Sequence, residues 1–346
     1  MRKGKKLIRA YVIPELVEVE SNVSYIPNFG FSERLVWESS YDDRSIIRIG
    51  YFVDKIVNKN IDSISNKFNF YYETKEGEVY YEQHFGFGLK AKLLLKYNAQ
   101  NPEIIVNPFY HKFIRKRIDD VNPPGGHLAD ILRLKLIEEG FIPLHASAFS
   151  YGENGTIIFA PSNTGKTVCV LHAVNHGCKF LSEDISVTDG RRVWGCPSTL
   201  TFIDSANLKG FSRILQELYK NIPITRPYLR EKISINVDNI LGKEKIASKA
   251  MIKRIIVLAR GKEKNIQQLD ENEASNIILN LNRAEFPYWN PLLFALQFFG
   301  KIDIKECMKK EEDIVEKMVF NADEILLLRG NPLFFIQTID KICKNI

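Results

Sequence analysis

Residues Ala160-Pro161-Ser162-Asn163-Thr164-Gly165-Lys166-Thr167 constrain this chain more than any other stretch. They fit a pattern of Ala or Gly, four free positions, then Gly-Lys-Ser/Thr. The pattern has a meaning only between a strand and a helix, where the loop's backbone N–H groups turn inward around a phosphate. Both flanks agree. Thr156-Ile157-Ile158-Phe159 is a continuous apolar run, as a buried strand should be. Val168, Val170, Leu171 and Val174 share one face of a helix predicted over Thr167 to His176 and closed by Gly177. This part of the chain is therefore expected to be α/β.

Each fixed position has a chemical reason. Gly165 lets the backbone approach the ligand, and Ser162, Asn163 and Thr164 supply further loop amides. Lys166 reaches the β- and γ-phosphates as a point charge. The Thr167 hydroxyl can ligate Mg²⁺. The helix N-terminus adds partial positive charge at the same spot. Ala160 stands where Gly is commoner, a change the pattern tolerates.

Glu183-Asp184 follows one short helix, a Gly stop and the strand expected over Lys179 to Leu181. That brings two adjacent carboxylates toward the phosphate loop. Phosphoryl transfer needs a metal ligand and a carboxylate that accepts the hydroxyl proton, and such a pair can divide the two duties. The plain alternative is a solvated Glu-Asp after a strand. His145 lies in Pro143-Leu144-His145-Ala146-Ser147, on the strand expected before the one that feeds the loop. His172 and His176 stand at i, i+4 on the loop helix, the spacing of a metal pair. No third ligand is evident in the sequence, so they read as surface or packing residues.

The organisation on either side differs. The first 120 residues are rich in aromatic and β-branched types and predict a mostly β unit. Phe68 to Glu73 and Val79 to Phe85 flank Lys75-Glu76-Gly77-Glu78 as a hairpin, and Ser45 to Val53 and Ile104 to Val106 read as strands. The aromatics Phe68, Phe70, Tyr71, Tyr72, Tyr80 and Tyr81 suit a core and a sheet face better than a binding surface. Asn122-Pro123-Pro124-Gly125-Gly126 punctuates the chain, and the boundary falls between Asn107 and Gly126. This gives a β-rich domain over 1–120, available for acceptor recognition or oligomerisation, and a nucleotide-binding domain over 121–346. Within the latter, a helix is expected from Leu128 to Ile137. Strands are expected at Leu144 to Phe149, Ser186 to Thr188, Ile233 to Val237, Ile255 to Leu258 and Glu324 to Leu328. Further helices fit Leu208 to Tyr219, Glu273 to Leu281, Pro291 to Phe299, Asp313 to Phe320 and the C-terminus. Core packing is the plainer reading of Phe286-Pro287-Tyr288-Trp289.

Together, Leu144-His145-Ala146-Ser147-Ala148, the octet Ala160 to Thr167, and Phe180-Leu181-Ser182-Glu183-Asp184 resemble the HPr kinase/phosphorylase family. More broadly, they resemble the HPr-kinase-like P-loop kinases, related in fold to ATP-dependent phosphoenolpyruvate carboxykinase. The resemblance implies an α/β P-loop kinase domain using ATP and Mg²⁺. Lys166 and the loop amides would hold the nucleotide phosphates, and Thr167 the metal. Glu183 stands where the family has the Asp that accepts the proton, Asp184 at the second acidic position near the metal, and His145 at the histidine beside the reacting centre. Arg226, Arg230 and Lys232 lie where such kinases place a basic residue for the transferring phosphate; a solvated loop is the other reading. The family's Gly-rich segment after the acidic pair is missing, with Ile224 to Arg230 in its place. The acceptor is therefore open: a Ser or Thr of a protein or peptide, or a small alcohol.

Composition narrows the alternatives. Of 346 residues, 48 are Lys or Arg and 42 Asp or Glu, for a net charge of +6. That suits an anionic partner without requiring one. The basic run Lys112, Arg115, Lys116, Arg117 lacks any companion motif for base stacking or groove entry, so nucleic-acid binding is disfavoured. No window offers eighteen uncharged apolar residues, so no membrane-spanning helix is expected. Met1 to Ala10 is basic without an apolar core, unlike a secretory signal. Five widely spaced cysteines form no CxxC pair, and the expected setting is cytoplasmic. A non-catalytic nucleotide-binding module remains an alternative to a kinase. Carboxykinase chemistry would need further metal and carboxylate-binding groups that the sequence does not offer. Homo-oligomer formation is compatible with the sequence but not specified by it.

Overall fold

Burial alternates residue by residue along Leu89–Lys96, with Ala91, Leu93 and Leu95 inside, the signature of a half-buried strand. That strand belongs to the first of two units in a computed structural model. The model describes residues 7–26, 29–31, 35, 45–55, 57, 64–85, 88–99, 101–115, 126–196, 199–200 and 235–344. The first unit comprises Met1–Leu132, Ser198–Asn236 and Asn290–Asp303. Its main sheet contains β1 (Ile8–Ile13), β2 (Val17–Ser21), β3 (Ile47–Val53), β4 (Ile64–Phe68), β5 (Tyr71–Thr74), β6 (Val79–Phe85), β7 (Leu89–Lys96) and β8 (Glu103–Val106). The spatial order is β1-β2-β3-β8-β7-β6-β5-β4. The expected hairpin is present between β5 and β6, with Gly77 at φ 75° in its turn. Its first arm is shorter than expected. The chain turns at Asn69 and Phe70, with Asn69 at φ 55°, and β4 pairs back onto β5. Asn tolerates that left-handed conformation, so a two-residue turn fits inside what reads as one apolar run.

Helix α1 (Pro108–Arg115) follows, and α2 (His127–Glu138) carries the chain toward the second unit. Tyr71 and Tyr110 bond the two ring nitrogens of buried His127. Tyr71, Tyr80 and Tyr81 are buried as expected of a core, whereas Phe70 is exposed. Leu128, Ile131, Leu132, Leu134, Leu136 and Ile137 of α2 are all buried, and Gly140 at φ 81° ends the turn that follows.

The second unit comprises Arg133–Pro197, Val237–Trp289 and Ile304–Ile346. It opens with β9 (Ile142–Leu144), β10 (Ala146–Tyr151), β11 (Asn154–Phe159), α3 (Lys166–Asn175), β12 (Lys179–Ser182), β13 (Ser186–Thr188) and β14 (Arg192–Gly195). In the first unit, β15 (Thr199–Leu200) pairs with β16 (Ile235–Asn236). The strand expected through Val237 stops there, because Val237 begins α4 (Val237–Leu241). Next come β17 (Lys249–Arg260), β18 (Asn265–Gln268), α5 (Glu271–Glu285), α6 (Pro291–Phe298) of the first unit, α7 (Ile304–Asn321), β19 (Glu324–Gly330) and α8 (Pro332–Lys344). Asp270 caps α5 by accepting from the Glu273 N–H. Tyr288 is buried beneath the Arg133 guanidinium, while Trp289 is exposed.

The sheet runs β12-β10-β11-β17-β14-β13-β9, with β19 also on β17 and β18 on β19. Strands β11, β17 and β19 are parallel. Strand β10 is antiparallel to both β11 and β12, so β12 also runs with β11. The carboxyl ends of four strands therefore share one edge. Ligands of α/β proteins bind at such an edge. The mixed α/β class expected from the sequence is what the chain adopts. The helix expected at Leu208 to Tyr219 lies outside the described residues.

Candidate functional site

One departure from expectation builds the site. Leu144 to Phe149 is not a single strand: β9 ends at Leu144, β10 begins at Ala146, and His145 sits in the break. The two strands have different partners, β13 for β9, and β11 and β12 for β10. Asn282 of α5 bonds both sides of the break. It accepts from the His145 N–H at 3.0 Å and donates to the Pro143 carbonyl at 3.1 Å. Buried Glu311 accepts from the same amide at 2.8 Å and pairs with Arg283. Asn282 thereby satisfies backbone groups that a continuous ladder would have paired.

Between β11 and α3 the loop bends sharply. Asn163 has φ 61° and Gly165 φ 126°. As the N-cap residue of α3, Gly165 offers no side chain to the first-turn amides. Those N–H groups are thus the donors that a helix N-terminus presents to an anion. A Cβ at position 165 would meet only Pro332, at 3.9 Å, so its restriction comes from the backbone angle rather than from crowding. Gly165→Ala should therefore cost on the order of 1–2 kcal/mol in stability and weaken phosphate binding, read by thermal melts and nucleotide titration.

Lys166 is buried. Its ammonium donates to the Ala160 carbonyl at 2.7 Å and to His145 Nε2 at 2.9 Å. An ammonium has three protons, so this geometry leaves one for an incoming anion. Accepting from Lys166 makes His145 Nε2 a lone-pair nitrogen, and the His145 Nδ1 side faces Asp184 Oδ1 at 3.5 Å. Burial, then the Lys166 charge, hold the His145 pKa below its ordinary value. Burial also lowers that of Lys166, against the opposing pull of Asp184 and Glu285.

The two acidic residues point to different neighbours. Thr167 Oγ1 donates to Glu183 Oε1 at 3.2 Å, and the Glu183 carbonyl accepts from Ser147 Oγ. Asp184 is 65% exposed beside His145. Burial and the Asp184 charge push the Glu183 carboxyl up to about 7. A carboxyl whose pKa is raised on folding loses stability as pH climbs from its unfolded value through 7. In metal-free, ligand-free protein at pH ~8, Glu183→Gln should thus be more stable than wild type. With an allowance for the carboxylate's solvent-facing edge, the gain is on the order of 1–2 kcal/mol. Melts with chelator across pH should show the gap closing below pH ~5.

Two residues join the site without a sequence signal. Glu285, at the end of α5, accepts from Ser162 Oγ at 3.2 Å and lies 3.7 Å from His145 Nε2. Arg260, at the carboxyl end of β17, donates to the Asn163 carbonyl at 2.9 Å and ties the loop to the sheet. Lys166, Thr167, His145, Glu183 and Asp184 are brought together as the sequence suggested. Arg226, Arg230 and Lys232 lie outside the described residues. Asp184 and Glu285 act on the buried Lys166 ammonium, and Glu183 meets the Thr167 hydroxyl; carboxylate and hydroxyl oxygens are the ligand type that a hard divalent cation such as Mg²⁺ takes.

No protein-family model and no curated relative matches the sequence. Among solved structures, the chain is similar to the Hpr(Ser) kinase/phosphatase from Coxiella burnetii. The TM-score is 0.26 and the identity 8%, over 59% of this chain and 92% of that one. A likeness at that level carries no weight for the site, whose chemistry is read from its own residues. Among the described residues, no helix is long and apolar enough to cross a membrane.

Proposed function

We propose that the chain is a Mg²⁺–ATP-dependent phosphotransferase that moves the γ-phosphoryl group to a hydroxyl, either Ser or Thr of a protein or peptide or a small alcohol. One observation carries the reading: the buried Lys166 ammonium, the Thr167 hydroxyl and the two carboxylates meet where β11 and β12 end. Bound Mg²⁺–ATP supplies the phosphoryl group and neutralises its charge. Loop amides and Lys166 hold the β- and γ-phosphates. Thr167 keeps lone pairs for the metal while it donates to Glu183.

That hydrogen bond supports dividing the carboxylates the other way from the family-based expectation. Glu183 then serves the metal side through Thr167. Asp184, exposed and beside His145, takes the proton of the acceptor hydroxyl as its oxygen receives the phosphoryl group and ADP leaves. His145 orients Asp184 and Lys166. Kinetics separate the two arrangements. Under this division, Glu183→Gln raises the Mg²⁺ concentration needed for half-maximal rate, whereas Asp184→Asn lowers kcat at saturating Mg²⁺; the reverse pattern restores the family assignment.

The proposal is tested with γ-labelled ATP, Mg²⁺ and a panel of Ser-containing peptides and small alcohols, against a protein-free control. Label in an acceptor supports it. Nucleotide binding without label in any acceptor favours the non-catalytic module. Absence of nucleotide binding removes the reading altogether.

A further inference from the structure

The histidine pair at the C-terminal end of α3, with His176 as its C-cap, acquires a third member from the C-terminal helix. His172 and His176, one turn apart, both turn toward Asp340 of α8. The Nε2 atoms stand 3.6 and 3.4 Å from the same Asp340 Oδ1, and the ring centroids are 4.2 Å apart. The three candidate ligand atoms all lie within 4.8 Å of one another. Bonds of ~2.0–2.1 Å in a tetrahedral site put ligand atoms about 3.3 Å apart, so little movement would close this cluster on one ion.

The orientation of the rings favours a cation. His176 Nδ1 sits 2.9 Å from the His172 carbonyl, an acceptor only, so Nδ1 carries the proton. That turns Nε2, the nitrogen left to coordinate, toward a carboxylate oxygen. Metal-bound histidines commonly have this arrangement, with the far nitrogen anchored to a backbone carbonyl. His172 Nε2 is also shielded from solvent and, among the described residues, has no hydrogen-bond partner. Two imidazoles converging on one carboxylate oxygen are satisfied by a single cation between them.

We infer that His172, His176 and Asp340 form a binding site for a divalent transition metal of the zinc class, which pins the C-terminal end of α3 to α8. Two imidazole nitrogens and one carboxylate select a borderline ion over Mg²⁺ or Ca²⁺, which prefer all-oxygen sets. The neighbouring thiols, Cys178 and Cys343, hydrogen-bond to each other at 3.5 Å, so the remaining coordination positions go to water. The site is separate from the phosphate loop: Lys166 and Thr167 open α3, whereas His172 and His176 lie at its other end. It needs neither nucleotide nor catalysis.

The test uses the full chain, stripped with chelator and titrated with Co²⁺ as the spectroscopic probe, then with Zn²⁺. One equivalent of Co²⁺ should give the visible absorption of a low-coordinate site, and Zn²⁺ should abolish it by displacement. Excess Mg²⁺ should leave it unchanged. Zn²⁺ should also raise the melting temperature by several degrees. His172→Gln and Asp340→Asn should each remove the absorption and the thermal shift. His84→Gln, outside the cluster, should retain both. Circular dichroism of each metal-free variant confirms folding. Failure of wild type to bind either ion, or undiminished binding in His172→Gln and Asp340→Asn, would overturn the inference.

Discussion

Lys166→Ala is expected to lower phosphoryl transfer by on the order of a thousandfold or more while the protein stays folded. The reason lies in what the ammonium touches. It is held by the Ala160 carbonyl and by His145, both at the mouth of the loop, with one proton directed to neither. Burial of that charge is unfavourable in the ligand-free protein and holds its pKa below the ordinary value. An arriving phosphate repays the cost, most fully when negative charge builds between the β- and γ-oxygens. Removing the ammonium takes away stabilisation that is greatest in the transition state, so the loss falls on kcat as well as on nucleotide affinity. The fold loses only a buried charge, so melting should change little. Steady-state kinetics on a labelled acceptor, alongside a thermal melt, reads both quantities.

The second large effect is expected at Asp184. Its carboxylate is exposed enough to meet an acceptor and lies 3.5 Å from His145 Nδ1. A positioned proton acceptor contributes typically ~10²–10⁴-fold, so Asp184→Asn should reduce kcat within that range. Nucleotide affinity should hold, because Asn keeps the size and can still face His145. A large loss of ATP binding with unchanged kcat would instead place Asp184 on the nucleotide side. The contrast with Lys166→Ala is diagnostic, since that substitution lowers both parameters.

Much of this site could be read from the chain because its chemistry is local. The octet fixes loop, lysine and hydroxyl within eight positions, and one short helix and strand bring Glu183-Asp184 back to the same edge. Periodicity was equally informative for α2, whose apolar stripe is buried as expected. What escaped depends on tertiary topology. Arg260 meets Asn163 across 97 residues, and Asn282 meets His145 across 137. Neither residue stands in a motif: Arg260 is placed by the order of strands in the sheet, and Asn282 by the packing of α5 on the break. The break at His145 was hidden for the same reason: Leu144 to Phe149 is uniformly strand-like, and only the two sets of partners show that it divides. Asp340 completes the histidine cluster only because α8 packs on α3.

The proposed reaction depends on binding of nucleotide phosphates by Ala160 to Thr167. Calorimetric titration of Mg²⁺–ATP into wild type and Lys166→Ala tests it without knowledge of the acceptor. One site per chain is expected, with affinity reduced at least about tenfold in the variant. Equal affinity in both proteins, or no binding to the wild type, would contradict it.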